Sequence, residues 1–161
     1  MIEQGEINQS VNIFGCKNST LQIRGKVNAV TLGMSSPSSV LLELTSIITI
    51  VNCSKTSVLI DNVISSISIT SSPSFTVQIT GKTPTIQLDS TDGGQIYLSA
   101  SSAAEVEITS AKCSAINVSI PDKNERGEEE EGLFVERAMP EMLRTVIKNR
   151  QLVSSIIEPS G

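Results

Sequence analysis

The feature that most limits how this chain can fold is a short apolar pattern that recurs at a nearly constant interval along the sequence. Each copy is a triplet with apolar residues at its first and third positions, which is the alternation of a half-buried β-strand. The third positions form two interleaved series: Ile23, Leu42, Ile60, Ile79, Leu98 and Val118, and Ile13, Leu32, Ile50, Ile69, Leu88 and Ile108. A fixed period of about 20 residues is typical of a solenoid. Because the coils consist of short strands and turns, we predict an all-β fold, a parallel β-helix of about six coils.

Composition favours a single domain of this kind. The 161 residues include no Trp, one Tyr and three Phe, as expected where a thin coil is filled by stacked Ile, Leu and Val. Leucine-rich repeats share the period, but their Asn and Leu signature is missing. The net charge of −5 argues against a nucleic-acid partner, which would require a basic surface. The polar N-terminus has no secretory signal and no apolar run approaches a membrane span, so we predict a cytoplasmic protein without membrane insertion.

Three cysteines, Cys16, Cys53 and Cys113, are separated by intervals close to two and three repeats. They are therefore expected at one corner of the coil. Strands stack about 4.8 Å apart, which places the nearest two cysteines about 10 Å apart and beyond the reach of a disulfide. The chain has no His, so separate thiols make a poor zinc site. We predict free thiols at a corner, and no metal or cofactor.

The apolar pattern stops after Ile120, so residues 1–120 are assigned to the β-helix. Residues 121–132 carry six acidic and two basic residues, which predicts a solvated acidic linker. Residues 133–161 are predicted to form a hairpin arm of two apolar strands around a short turn or helix. Such an arm is marginally stable alone and could fold back on its own coil or on that of a second copy. We favour exchange between two copies, which would give a symmetric homodimer. The residues assigned to dimerisation are Leu133, Phe134, Val135, Leu152, Val153, Ile156 and Ile157.

Several stretches of the sequence resemble one family of proteins. Residues 18–30, NSTLQIRGKVNAV, resemble the NxTLQIKGKxNxI motif of the cyclase-associated proteins. Residues 81–99, GKTPTIQLDSTDGGQIYLS, resemble the GKxPTIxxxxTDGxxxYLS motif of the same family. Residues 115–121, 139–142 and 157–161 continue the match. The chain therefore resembles the C-terminal domain of that family over nearly its whole length.

This resemblance implies a right-handed parallel β-helix that dimerises by exchange of its C-terminal hairpin. It also implies a cytoskeleton-associated protein that is not an enzyme, binds monomeric actin (G-actin), prefers ADP-actin and promotes exchange of ADP for ATP. Residues at and after the two Gly-Lys corners are then expected on the actin-binding face, together with the C-terminus. The candidates are Arg24, Lys26, Asn28, Lys82, Thr85, Gln87, Asp89, Glu158 and Gly161.

Three other functions fit parts of the pattern. Glu43 and Asp61 are neighbours in one outward column, about 5 Å apart, as the acid and nucleophile of a polysaccharide-cleaving β-helix would be. A surface ion ladder with the nearby arginine explains them more simply. Gln22-Ile23-Arg24 is similar to the Gln-x-Arg motif of tubulin cofactor C-like domains, which stimulate GTP hydrolysis. The column of Thr31 and Thr49 suggests ice binding, but threonine does not continue in the coils that follow.

Overall fold

A computed structural model describes residues 2–5, 8–34 and 37–158, and it describes only the backbone of residues 2–5 and 129–131. Thirteen strands and one helix lie within these ranges. They are β1 (Ile2–Gly5), β2 (Ser10–Cys16), β3 (Thr20–Met34), β4 (Ser38–Val51), β5 (Thr56–Thr70), β6 (Phe75–Ile79), β7 (Thr85–Asp89), β8 (Asp92–Tyr97), α1 (Ala100–Glu105), β9 (Glu107–Ala111), β10 (Ser114–Lys123), β11 (Glu129–Ala138), β12 (Met142–Lys148) and β13 (Gln151–Ile157).

Eleven of these strands belong to one sheet, wound into a solenoid of about six turns. On one side, here called face A, the strand order is β1-β3-β4-β5-β6-β8-β10. On the other side, face B, the order is β2-β3-β4-β5-β7-β9, because the long strands β3, β4 and β5 run through both faces. All pairs on the two faces are parallel. The predicted parallel β-helix is therefore confirmed.

The two apolar series form the interior of the solenoid. Every member of the series that begins at Ile23 is buried, and the other series is buried from Leu32 to Leu88. A larger side chain, Phe75, is also buried, and its ring occupies the space that a Cβ atom at Gly94 in the next coil would need. The core thus holds one aromatic ring because the neighbouring coil has a glycine at that position.

The last coil is longer than the sequence pattern predicts. The pattern places Val118 on Leu98, whereas Val118 pairs with Ile96, so this coil contains two more residues than predicted. Face B shows the same difference, since Ile108 pairs with Ile86 and not with Leu88. Helix α1 is the cause, because it occupies the corner between β8 and β9. Ser99 caps this helix by accepting a hydrogen bond from the backbone of Ser102.

Small hydrogen-bonding side chains form a column at the corner that follows face B. Cys53 Sγ accepts a hydrogen bond from the backbone N–H of Met34 at 3.3 Å. Ser72 Oγ accepts from the N–H of Cys53 at 3.2 Å, and Thr91 Oγ1 accepts from the N–H of Ser72 at 3.4 Å. Each side chain thereby satisfies a backbone donor of the preceding coil at the point where strand β3, β4 or β5 ends.

The three cysteines lie on this corner, as their spacing predicted. Cys16 pairs with Met34, Cys53 contacts Met34 from the other side, and Cys113 directly precedes the pair between Ser114 and Asp92. All three are free thiols. Burial raises the pKa of the Cys53 thiol, so this group stays protonated at neutral pH. It can then donate weakly to the backbone carbonyl of Leu32.

A second buried column lies at the corner between faces A and B and consists of Val27, Thr45, Val63 and Thr83. Val63 donates its N–H to the carbonyl of Lys82 at 2.8 Å, which brings Thr83 into the column. Among the described residues, the hydroxyls of Thr45 and Thr83 have no hydrogen-bond partner. A buried polar group without a partner costs about 1–3 kcal/mol. These threonines therefore fill space at a valine position and carry an unfavourable hydroxyl.

We expect Thr45→Val to raise the free energy of unfolding by about 1 kcal/mol, because a methyl group replaces a buried hydroxyl that has no partner. Urea denaturation of the two proteins measures the difference. Thr56→Val is the matched control, since Thr56 is equally buried but donates to the carbonyl of Ser54 at 3.3 Å. The control should lose stability. A loss of stability in Thr45→Val as well would contradict the expectation.

The segment 121–132 differs from the predicted acidic linker. Strand β10 continues to Lys123, and β11, which begins at Glu129, pairs with it in antiparallel orientation. A tight turn joins the strands, in which Asn124 Oδ1 accepts from the N–H groups of Arg126 and Glu128, each at 3.0 Å. The acidic residues were assigned to a linker because charge predicts solvent exposure but gives no information about backbone pairing. The segment is the tip of a hairpin that covers the last coil of face A.

The predicted arm of residues 133–161 also divides differently. Leu133, Phe134 and Val135 lie on β11, which pairs with β10 of the same chain, so they do not form a strand of the arm. The hairpin consists of β12 and β13, joined by a two-residue turn. Asn149 and Arg150 have φ of 48° and 63°, as a type I′ hairpin turn requires. No helix forms at residues 139–143, where a short turn or helix was expected.

We expect the solenoid to tolerate removal of one whole coil. Leu44 and Asn62 occupy the same position in successive coils, so deletion of residues 44–61 joins Glu43 to Asn62 in register. Each coil contacts only its neighbours, so the shortened protein should fold with a lower melting temperature. Circular dichroism shows whether the shortened protein folds, and thermal unfolding gives its melting temperature.

Deletion of only residues 44–52 is the control, because it turns the following ladder positions out of the core and should prevent folding. Equal behaviour of the two deletions would contradict the expectation.

Candidate partner-binding surfaces

Two of the predicted site residues, Lys26 and Lys82, lie in one column at the corner between faces A and B. Lys26 pairs with Leu44, and Leu44 pairs with Asn62. Lys82 continues the column, because its backbone N–H donates to Asn62 Oδ1 at 2.8 Å. Both lysines are exposed, and neither forms an ion pair in the part of the chain that the structure describes. This lysine column, Lys26-Leu44-Asn62-Lys82, is a basic strip on an acidic protein.

The position of Lys82 depends on its neighbour Gly81. A Cβ atom at Gly81 would collide with the Asn62 side chain and with the carbonyl oxygen of Asp61. The carbonyl of Gly81 accepts hydrogen bonds from the hydroxyl of Ser99 at 2.5 Å and from that of Ser102 at 2.8 Å. Contacts from the coils on both sides therefore fix this Gly-Lys corner.

The Arg24 side chain is about half exposed and is held by two neighbours. Its Nε lies 3.9 Å from Glu43 Oε1, and Glu43 Oε2 accepts from the N–H of Gly25 at 2.8 Å. With its amide oxygen turned toward the guanidinium, Gln22 accepts from Arg24 Nε at 3.0 Å and Nη2 at 3.1 Å. Asp61 in the next coil accepts from the Thr80 hydroxyl at 3.2 Å. The acidic pair considered for polysaccharide cleavage is thus engaged in local surface contacts.

Thr85, Gln87 and Asp89 lie along β7 on face B, next to the corner that carries Lys82. They pair with Ser66, Ser68 and Thr70 of β5 on one side and with Glu107, Thr109 and Ala111 of β9 on the other. Asn28 lies on β3, two residues after Lys26. Lys26 and Lys82 are three coils apart, roughly 14 Å at the usual strand spacing. The structure therefore places two groups of predicted site residues on one continuous surface. Lys26 and Asn28 form the first group, and Lys82, Thr85, Gln87 and Asp89 form the second. The two groups are not in contact.

Two apolar residues lie between these groups and were missed by the sequence analysis. Ile47 is 43% exposed and Ile64 is 58% exposed, and both belong to the intervening coils. A sequence signal existed for Ile64, since it follows Val63 directly and thus lies outside the alternation of the buried positions.

The C-terminal candidates lie elsewhere. Glu158 follows β13 and is exposed, whereas Gly161 lies outside the described residues. The hairpin that precedes Glu158 pairs with no other strand among the described residues. Leu152, Val153, Ile156 and Ile157 on β13 are all exposed, with Leu152 reaching 75%. The hairpin therefore presents apolar side chains to solvent in the single chain.

The connection from β11 to the hairpin is anchored on the last coil. Met139 donates its N–H to the carbonyl of Ile116 at 2.8 Å, and Glu141 Oε1 accepts from the N–H of Ala115 at 2.5 Å. A groove of about 460 Å³ lies next to this connection and is lined by residues of β9, of the Cys113 corner and of both hairpin strands. Strand β9 pairs only with β7 among the described strands, so its outer edge faces this groove.

The three predicted dimerisation residues on β11 have contacts within their own chain. The Phe134 ring packs edge-to-face on Tyr97, with centroids 5.5 Å apart. Phe134 and Leu133 remain 36% and 37% exposed. Strand β11 thus extends face A, and its apolar residues cover part of the last coil.

Within the described part of the chain, no group of three His, Cys, Asp or Glu residues is placed to hold a metal ion. None of its helical segments has the length and apolar character that crossing a membrane requires.

Comparison with known proteins assigns the family. The model of the family "Adenylate cyclase associated (CAP) C terminal" matches residues 1–47 and 44–159. Adenylyl cyclase-associated protein 1 of Bos taurus is 38% identical over 161 residues, which is all of this chain and 29% of that protein. The adenylyl cyclase-associated protein of Dictyostelium discoideum is 38% identical over 152 residues, 94% of this chain and 28% of that protein. The chain spans less than a third of these relatives.

A solved structure supports the same assignment. The crystal structure of cyclase-associated protein from Cryptosporidium parvum matches with a TM-score of 0.82 and 28% identity, and the match covers 98% of this chain and 94% of that one. Sequence and fold therefore agree over almost the whole chain. This chain belongs to the adenylyl cyclase-associated protein family and corresponds to its C-terminal domain.

Proposed function

We propose that this domain binds monomeric actin and promotes exchange of its ADP for ATP. The observation that carries the proposal is the family match over the whole chain, which includes both Gly-Lys motifs. The exposed lysine column and the adjoining surface of β7 support it, because they offer a continuous surface that other parts of the described chain do not cover. The same family match favours actin over the GTP-hydrolysing system of tubulin cofactor C-like domains. The domain would act in the cytoplasm on the actin cytoskeleton.

Acceleration of nucleotide exchange requires no catalytic residue in this domain. A protein speeds release by binding more tightly to the actin conformation in which the nucleotide cleft is loosened, since only a difference in affinity shifts an equilibrium. Preference for ADP-actin follows if that conformation is more populated with ADP bound. The flat strand surface of face B suits this role, because the parallel strands hold its side chains in a rigid array.

We also propose that the domain is a homodimer formed by exchange of the β12–β13 hairpin. An isolated two-stranded sheet is marginally stable in water, and this hairpin exposes Met142, Leu143, Ile147, Leu152, Val153, Ile156 and Ile157. The outer edge of β9 supports the proposal as the complementary feature, because an unpaired strand edge favours pairing with another chain. Exchange between two copies would cover the apolar hairpin and pair the edge of β9 in one symmetric interface. A dimer of this kind would engage two actin molecules.

We expect the domain to accelerate release of a fluorescent ADP analogue from actin at micromolar concentrations. The double variant Lys26→Glu/Lys82→Glu should weaken this effect on the order of tenfold, because it reverses the charge of the lysine column. Lys17→Glu/Lys55→Glu, which changes two exposed lysines outside the column, should behave like the wild type. A wild-type domain that neither binds actin nor accelerates release would rule out the proposed function.

Removal of residues 142–161 should convert the dimer to a folded monomer, because these residues contain the whole hairpin. The truncation keeps Glu141, whose carboxylate accepts the N–H of Ala115 in the last coil. Light scattering after size-exclusion chromatography measures the mass, and circular dichroism checks the β-helix. A truncated chain that stayed dimeric, or a full chain that was monomeric, would contradict hairpin exchange.

A further inference from the structure

An apolar side chain stands outward where the solenoid departs from its regular register. Thr45 pairs with Val63, and Ile47 pairs with Ser66, so the two residues Ile64 and Ser65 lie opposite a single residue of the preceding coil. This is a β-bulge, a feature that redirects side chains and is frequent beside functional sites. Ile64 is 58% exposed, directly after the buried Val63, and the bulge places the exposed Ser65 beside it before buried positions resume at Ile67.

Ile64 borders a small groove of about 230 Å³. Lys82, Thr83 and Pro84 of the next coil form one wall of the groove, and Ser101 and Glu105 of α1 form another. Pro84 has no N–H to donate, so the regular hydrogen-bond ladder is interrupted beside the bulge. Thr83 is 2% exposed, and its hydroxyl has no partner among the described residues. The groove thus has the apolar Ile64 at its edge and two exposed charged side chains, Lys82 and Glu105, on its walls, while the Thr83 hydroxyl stays buried beneath it.

The lysine column flanks Ile64. Asn62, two residues before Ile64, lies between Lys26 and Lys82 in that column. Lys82 is one coil from Asn62, and Lys26 is two coils away, which corresponds to roughly 5 Å and 10 Å. Both ammonium groups are exposed and without an ion pair in the described ranges. A partner that covered this surface would meet an apolar centre with a lysine on each side and the exposed Glu105 across the groove.

We propose that Ile64 is the central anchor of the actin contact. In this arrangement an apolar side chain of actin packs on Ile64 and enters the adjoining groove, and carboxylates of actin that flank this side chain pair with Lys26 and Lys82. Interfaces of this kind concentrate binding energy in a central apolar contact and use rim charges for orientation. The inference rests on the proposed function, because it names the contact that would hold actin.

Two substitutions on β5 test this assignment. Ile64→Asp places a negative charge at the centre of the patch and should weaken actin binding by about tenfold or more. Leu59→Asp is the matched control, because Leu59 is a 37% exposed apolar residue of the same strand on face A. It should change the affinity less than about twofold. Fluorescence anisotropy with labelled actin measures the affinity, and melting temperature and dimer mass show that both variants fold.

A third variant tests the charge of the partner. Ile64→Lys removes the apolar contact but keeps the patch basic, so it should weaken binding less than Ile64→Asp does. If the wild type binds actin and Ile64→Asp binds as well as Leu59→Asp, the assignment of Ile64 is overturned while the proposed function stands. If Ile64→Lys and Ile64→Asp weaken actin binding equally, the proposal that carboxylates of actin face this patch is overturned. A wild-type domain without actin binding would overturn both the assignment and the proposed function.

Discussion

Parallel backbone hydrogen bonds between successive coils determine the position of every other feature of this domain. Each inner coil is hydrogen-bonded to the coils on both of its sides, so a residue's place in the coil fixes both its direction and its partners. An inward position must be apolar in every coil, which explains why the ladder from Ile23 to Val118 is buried throughout. Where strands end at a corner, Cys53, Ser72 and Thr91 supply acceptors for backbone N–H groups.

The same constraint leaves the ends of the solenoid incomplete, because the first and last coils have a neighbour on one side only. At the C-terminal end, face A is completed within the chain by β11, which runs antiparallel to β10. Face B ends at β9, for which the described part of the chain provides no further strand. The hairpin lies next to this end with its apolar residues in solvent. The unpaired edge and the unpaired hairpin are therefore two consequences of the same incomplete coil.

The sequence contained enough information for the fold and much less for its irregular parts. Periodicity identifies inward positions, since an apolar residue at the same place in every repeat has no other simple structural cause. It could not reveal the longer last coil, because α1 replaces a bend without changing the apolar triplets on either side. Composition misassigned residues 121–132, since Glu is compatible with an exposed strand as well as with a linker. Alternation after Val63 indicates that Ile64 points outward, but the bulge beside it is revealed only by the register between β4 and β5.

Recognition of a partner by such a regular surface must depend on its irregularities. A column of identical outward positions repeats every coil, so a flat face alone gives several equivalent ways to place a partner, each shifted by about 4.8 Å. Helix α1 occurs once in the described chain, and the bulge at Ile64 and the fixed Gly81 corner adjoin the same groove as α1. A partner that engaged this groove would be held in a single register along the solenoid. The two lysines would then lie at defined distances from the apolar centre, which makes the local break in the repeat the element that can specify position.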